Sequence, residues 1–545
     1  MRRPLLKLQN LPNWLRTRFF SGTPDHARFN HGTMTTITAP DIVRLSASEL
    51  QHLLSTEKLT SVDLVKASLA QIDRHNRKGL TLQAVISVAP DDIVLERAAM
   101  LDAERARGRV RGPFHGIPIL LKDVVKTHSD LGMPTTLGNF AFLNAKANDS
   151  AVVVDKLLEK GLIIIGKTNL NELSSWKAMG STNGWSAVGG QTTSAYVEGG
   201  VKREDGVMGH NNPCGASTGS AVGVSAGFAP IALGTEVDGS LVQPSARAGL
   251  YALKPTIGST ELKGIFAVSE DFDALGGMAK SVIDLAHLTE LVLTKEEREK
   301  LPADGYLSFL KKSFAGLRVG FVDPEVWRWP ENVQRQHGNS LEQLRSGYTT
   351  VMERLKSHGG TVTYPILLPA ASEFMLDGQP ATLTAIRHVF RENVESYFNS
   401  LSSSAVRTLP ELIQFNNENS DKELPPDFPE QGRLIDTLEN VIDRQTFEKA
   451  INVCRTTGRD QGVDKALSEH DLDLVALPMD SPAPRIAAAA GYPIATVPLG
   501  TLDHNGRPFG LAIIAKGGRE DLLFAFMSAF EAVYPPRPVP RQLTA

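Results

Sequence analysis

The sequence predicts an α/β fold built around a largely enclosed sheet. Short runs of apolar residues, each ending near a glycine or a turn, alternate with segments whose apolar residues recur every three or four positions. Four runs carry the strand signal: IPILLKDVV (117–125), LIIIGKT (162–168), APIALGTEV (229–237) and LDLVALP (472–478). Such continuous apolar stretches fit strands covered on both faces. Strands alternating with helical patterns place the chain in the α/β class. The 545 residues are 41% apolar, enough for a large core, which excludes wholesale disorder.

Each element follows from a local signal. Ser46 with Glu49 forms a capping-box pattern, and Leu50, Leu53 and Leu54 share a helical face. After Thr60, the residues Val62, Val65, Leu69 and Ile72 predict a second helix. Residues 152–159 read as a helix before the second strand. The small residues of CGASTGSAVGVSAGF (214–228) predict a buried helix beginning near Ser217 or Thr218. Near the end, TVPLG and FGLAIIAK flank Asn505-Gly506, a turn signal between two strands. Residues 521–532 read as a closing helix. Residues 325–450 are richer in charge and helical pattern, broken by the Pro-rich ELPPDFPEQG (423–432). They read as an inserted helical layer or lid on the domain 36–545.

Composition excludes several function classes. The formal net charge is −4, with charges spread along the chain, so there is no electrostatic footprint for nucleic acid. No stretch reaches the roughly 18 apolar residues that span a bilayer. Two cysteines, Cys214 and Cys454, cannot build a disulfide framework or a metal cluster. We expect no metal and no cofactor, a cytoplasmic chain, and a monomer or homodimer. The basic, acid-free first segment suggests a mitochondrial transit peptide as the alternative address, and residues 1–35 are set apart as an N-terminal extension.

Three features carry chemistry. Lys122 lies in an apolar strand, where burial favours the neutral amine, a form able to accept a proton from an alcohol. The competing reading is an ammonium paired with Asp123. Ser240 follows Gly239 after a strand end, in a turn whose backbone N–H groups, from Val237 through Asp238 and Gly239 to Ser240, suit an oxyanion. The hydroxyls of Ser217 and Thr218 either cap a helix or relay a proton. A phosphate loop is a poorer reading, since G-x-x-x-x-G-K-[ST] is absent. Met179 is a candidate substrate contact or a packing residue, while Cys214, His115 and His210 read as structural.

GIPILLKD, GKTNLNE, HNNPCGASTGSAVGVSAGFAPIALGTEVDGS, LKPTIG and GYPIATVPLG, in this order, resemble the amidase signature family over residues 46–532. The form TEVDGS, with no arginine soon after the serine, is similar to fungal and plant members. The resemblance implies a mixed central sheet covered on both sides by helices, and a Ser–Ser–Lys triad that hydrolyses small carboxamides. It places the nucleophile on Ser240, the base on Lys122 and a supporting hydroxyl on Ser217. It places the bridging serine, in a cis peptide, 24 residues before the nucleophile, where this chain has Ala216. An amide hydrolase of reduced activity is the first reading. A ligand-binding protein that has lost turnover, or an amidotransferase-like subunit, is the alternative.

Overall fold

A computed structural model of the chain describes residues 37–178 and 183–544. The N-terminal extension 1–35 and Met179 lie outside the described residues. Eleven strands form one sheet: β1 Val85–Val88, β2 Pro118–Lys122, β3 Ile163–Thr168, β4 Ile231–Glu236, β5 Tyr251–Lys254, β6 Ala274–Ala279, β7 Arg318–Val322, β8 Thr361–Ile366, β9 Leu474–Pro478, β10 Ile494–Thr501 and β11 Pro508–Ile514. Their spatial order is β1-β3-β2-β4-β6-β5-β10-β11-β9-β7-β8. The sheet is mixed. β3, β2 and β4 run parallel, as do β9, β7 and β8, while the pairs between β4 and β9 are antiparallel.

The apolar runs are strands because they are covered on both faces. Strands β2 to β6 are buried at every residue, as their unbroken apolar sequence requires. Helix Thr218–Ser225 packs on β2, β3 and β4; helix Val242–Arg247 packs on β5, β10 and β11; helix Val282–Val292 packs on β5 and β6. Ser46 and Glu49 make the expected reciprocal capping box at helix Ala47–Ser55. Thr60 caps helix Ser61–His75, and helix Val152–Glu159 has the bounds read from its periodicity. TVPLG and FGLAIIAK pair antiparallel within β10 and β11.

Two features differ from the sequence reading. β1, β5, β6, β7 and β8 were not apparent, because their apolar runs are short or are broken by polar residues, glycine or proline; Gly276 and Gly277 sit inside β6. The segment 325–450 is also not wholly helical. It includes β8, which pairs parallel with β7 at the sheet edge, besides helices Ser340–Ser357, Ala381–Asn399, Leu409–Glu418 and Gly432–Glu439. Among the described residues, no helix is long and apolar enough to cross a membrane.

Candidate active site

β2 and β4 are parallel neighbours, with Ile119 opposite Ile231 and Leu121 opposite Leu233. Their C-terminal ends therefore deliver Lys122 and Thr235 side by side. Lys122 is fully buried, and its Nζ donates to Thr235 Oγ1 at 2.9 Å. It does not pair with Asp123, whose carboxylate meets Lys167 Nζ at 3.2 Å and accepts from the N–H and hydroxyl of Thr136. Burial lowers the Lys122 pKa to about 8, against the pull of Asp273 and Glu236. Asp273 is itself raised to about 6 by burial. A substantial fraction of the amine is thus neutral near physiological pH, and one hydroxyl lies in contact with it.

Ser240 closes the turn after β4. Gly239 has φ +115°, a conformation that L side chains rarely adopt, and a Cβ there would come 2.7 Å from Gln243 Oε1. Glu236, buried at the end of β4, accepts from the N–H groups of Leu241 and Val242 at 2.7 and 2.8 Å. That carboxylate fixes the start of helix Val242–Arg247 and so the place of the turn. Among the described residues, the N–H groups of Gly239 and Ser240 make no internal hydrogen bond. Neither is spent on another described residue. Ser240 is half-buried, Val237 packs against the core, and Asp238 is exposed beside the turn.

The bare stretch 214–228 packs against this turn. Ser217 N donates to the Ser240 carbonyl at 2.8 Å, and Ser217 Oγ donates to the Thr235 carbonyl at 3.0 Å. Ser217 sits at the N-cap of helix Thr218–Ser225 without capping it through its side chain. The plain capping role therefore gives way to a tie between β4 and the turn. Small residues are required here: a Cβ on Gly234 would meet Ser217 Oγ at 2.8 Å. Ala216 is buried, and its carbonyl accepts from Asn171 N at 3.2 Å. Among the described residues the cis peptide bond is Tyr364–Pro365. The cis peptide implied for position 216 is thus corrected to trans. Thr218 Oγ1 is buried and lacks a hydrogen-bond partner among the described residues.

The residues read as structural have structural partners. Cys214 Sγ is buried against Met208 Sδ and Gln243 Oε1, and burial pushes its thiol pKa up. His115 contacts the Leu101 carbonyl. His210 Nδ1 lies 2.7 Å from Arg507 Nη2, and burial holds its pKa down at about 2. No cluster of His, Cys, Asp and Glu among the described residues could hold a metal ion. The sequence reading missed Thr235, the hydroxyl that meets Lys122. The signal was the GT pair at the end of β4, but it gains meaning only once β2 and β4 are neighbours.

The Amidase family model matches residues 63–524. The chain belongs to that family. It is an amide hydrolase, and its relatives include fungal and plant chains. A putative amidase of Schizosaccharomyces pombe is 30% identical, covering 89% of this chain and 84% of its own length. A probable amidase of Arabidopsis thaliana is 28% identical over 95% of this chain and 97% of its own. Among solved structures, the native peptide amidase from Stenotrophomonas maltophilia superposes with a TM-score of 0.79 at 31% identity. That match covers 91% of this chain and 98% of the amidase.

Proposed function

We propose that this amidase cleaves a small carboxamide through an acyl-enzyme on Ser240, with Lys122 as the base. The supporting observation is a fully buried amine, lowered to about 8, whose hydroxyl partner lies on the strand that ends in the Ser240 turn. Ser240 Oγ attacks the carbonyl carbon, and its proton passes toward Lys122. The carbonyl oxygen becomes an oxyanion facing the free N–H groups of Gly239 and Ser240. The amine leaves with the proton that Lys122 accepted. Water then attacks the ester, and Ser240 recovers its proton by the same route.

Ala216 limits this scheme. It removes a hydroxyl from the position that bridges lysine and nucleophile in the resembling family. Ser217 does not replace it, since its hydroxyl proton is directed to the Thr235 carbonyl. The reading therefore includes slow turnover. A fluorophosphonate should label the chain at Ser240 and fail on Ser240→Ala, and an aryl amide should be hydrolysed slowly. Ala216→Ser should raise hydrolysis by about 10²–10⁴, the contribution of a positioned proton-transfer group. No Ser240-dependent labelling, together with no gain in Ala216→Ser, sinks the mechanism. Ala216 also favours a second reading, a protein that binds amides without releasing products. Binding without turnover in both chains would establish it.

A further inference from the structure

We propose that the Pro-rich segment 424–430 is the closing wall of the substrate pocket, and that its Phe428, stacked on Trp185, selects amides carrying a flat apolar group. The inference rests on the hydrolase reading for the identity of the ligand, and on geometry for the wall.

The segment is pinned at both ends and loosely held between them. Glu423 is buried and accepts from Asn139 Nδ2 at 2.8 Å, Phe140 N at 2.7 Å and Lys177 Nζ at 2.6 Å. Gln431 is buried and bonds Asn416, Asn417 and the Ile413 carbonyl. Between these anchors run Leu424, Pro425, Pro426, Asp427, Phe428, Pro429 and Glu430. Three prolines stiffen the span and lower the entropy lost in holding it. Phe428 stacks on Trp185 with centroids 4.2 Å apart and planes 15° from parallel. The Arg203 guanidinium lies 4.5 Å from the Phe428 ring and pairs with Asp427 at 3.2 Å.

A cavity of about 150 Å³ lies between this segment and the chain leaving β3, lined by Trp185, Phe428 and Pro429 with Asn171 and Ser175, and also by the charged Glu172, Lys177, Asp427 and Glu430. A cavity of roughly that volume accommodates one benzene ring. The nearby charges are mostly spent: Glu172 and Glu423 both hold Lys177, and Asp427 holds Arg203. What remains is two aromatic faces and a proline over a polar floor of amide and hydroxyl, with Glu430 on the exposed rim.

The cavity adjoins the proposed chemistry. Asn171 N bonds the Ala216 carbonyl at 3.2 Å. The Ser175 carbonyl accepts from Arg433 Nη1 at 2.7 Å, and Arg433 is held electrostatically by Asp238, two residues before Ser240. Through Asn171 the cavity floor is bonded to Ala216, whose neighbour Ser217 donates to the Ser240 carbonyl, so a flat group seated there lies on the side of the molecule that carries the nucleophile turn.

The test compares benzamide with an aliphatic amide of similar size, with Kd from ligand-observed NMR titration of the whole chain. The wild-type chain should favour benzamide. Trp185→Ala and Phe428→Ala should each cut that preference about ten-fold, the scale of one aromatic pair, and Phe428→Tyr should keep it. Unfolding is monitored by thermal melting. If the alanine variants fail to fold, Phe428→Leu, which keeps apolar bulk without a ring, should lose the preference. An unchanged benzamide preference in any folded variant lacking a ring overturns the proposal. Loss of preference in a chain whose Ser240 never labels with fluorophosphonate would keep the wall and refute the Ser240 acyl-enzyme mechanism.

Discussion

Lys122 shows how one residue can be read from sequence and still change meaning in the structure. Its burial follows from the apolar strand, and its lowered pKa follows from burial. Its partner does not: Asp123, adjacent in sequence, lies in the turn just past β2 and joins Lys167, while Thr235, on the neighbouring strand, meets the amine. The shift to about 8 sets the pH dependence. As the base, Lys122 must be neutral, so kcat/KM should rise with pH through about 8 and level off above it. For stability, the folded pKa lies below the unfolded one. The unfolded chain therefore binds more protons between about 8 and 10.5, and this group adds stability as pH rises through that window. Lys122→Met removes a desolvated charge from a site of similar volume. It should lose at least about 10² in Ser240 labelling rate, while thermal melting shows equal or greater stability, up to about 4 kcal/mol.

The strand, turn and helix from β4 through residues 242–247 form the element on which the site depends. Its order is set locally. Glu236 gathers the first free N–H groups of the helix, Gly239 supplies a left-handed turn, and Ser217 ties the turn back to β4. A side chain at 239 conflicts with both the backbone and Gln243. Gly239→Ala should cost about 1–3 kcal/mol of stability and reduce Ser240 labelling more than ten-fold. Chemical denaturation and labelling kinetics on the same preparation check both. Gly239 and Ser240 were readable as a glycine turn after an apolar run. The roles of Glu236 and Ser217 were not, because each acts through contacts that arise only when the helix closes back on the strand.

At the scale of the whole molecule, the helical segment is fastened to the sheet layer by a buried charge cluster. Lys177, from the chain after β3, holds Glu172 at 2.7 Å and Glu423 at 2.6 Å, all three nearly inaccessible. Burial, with Glu172 close by, pushes the Glu423 carboxyl up, as expected when two carboxylates share one cation. Lys177→Met leaves both carboxyls without it. That variant should lose about 3–5 kcal/mol, with hydrogen exchange rising first across residues 409–439. Uniform exchange with unchanged melting would contradict the clamp. By itself, the sequence determined the strands with continuous apolar runs, the capped helices, the buried amine and the glycine turn after β4. These are properties of periodicity, caps and turns, written within a few residues of one another. Only the tertiary structure decided that β2 and β4 are neighbours, that Thr235 meets Lys122, and that Phe428 stacks on Trp185 over a cavity. Those pairings join positions far apart in the chain, and strand order and side-chain partners arise from packing that no local pattern encodes.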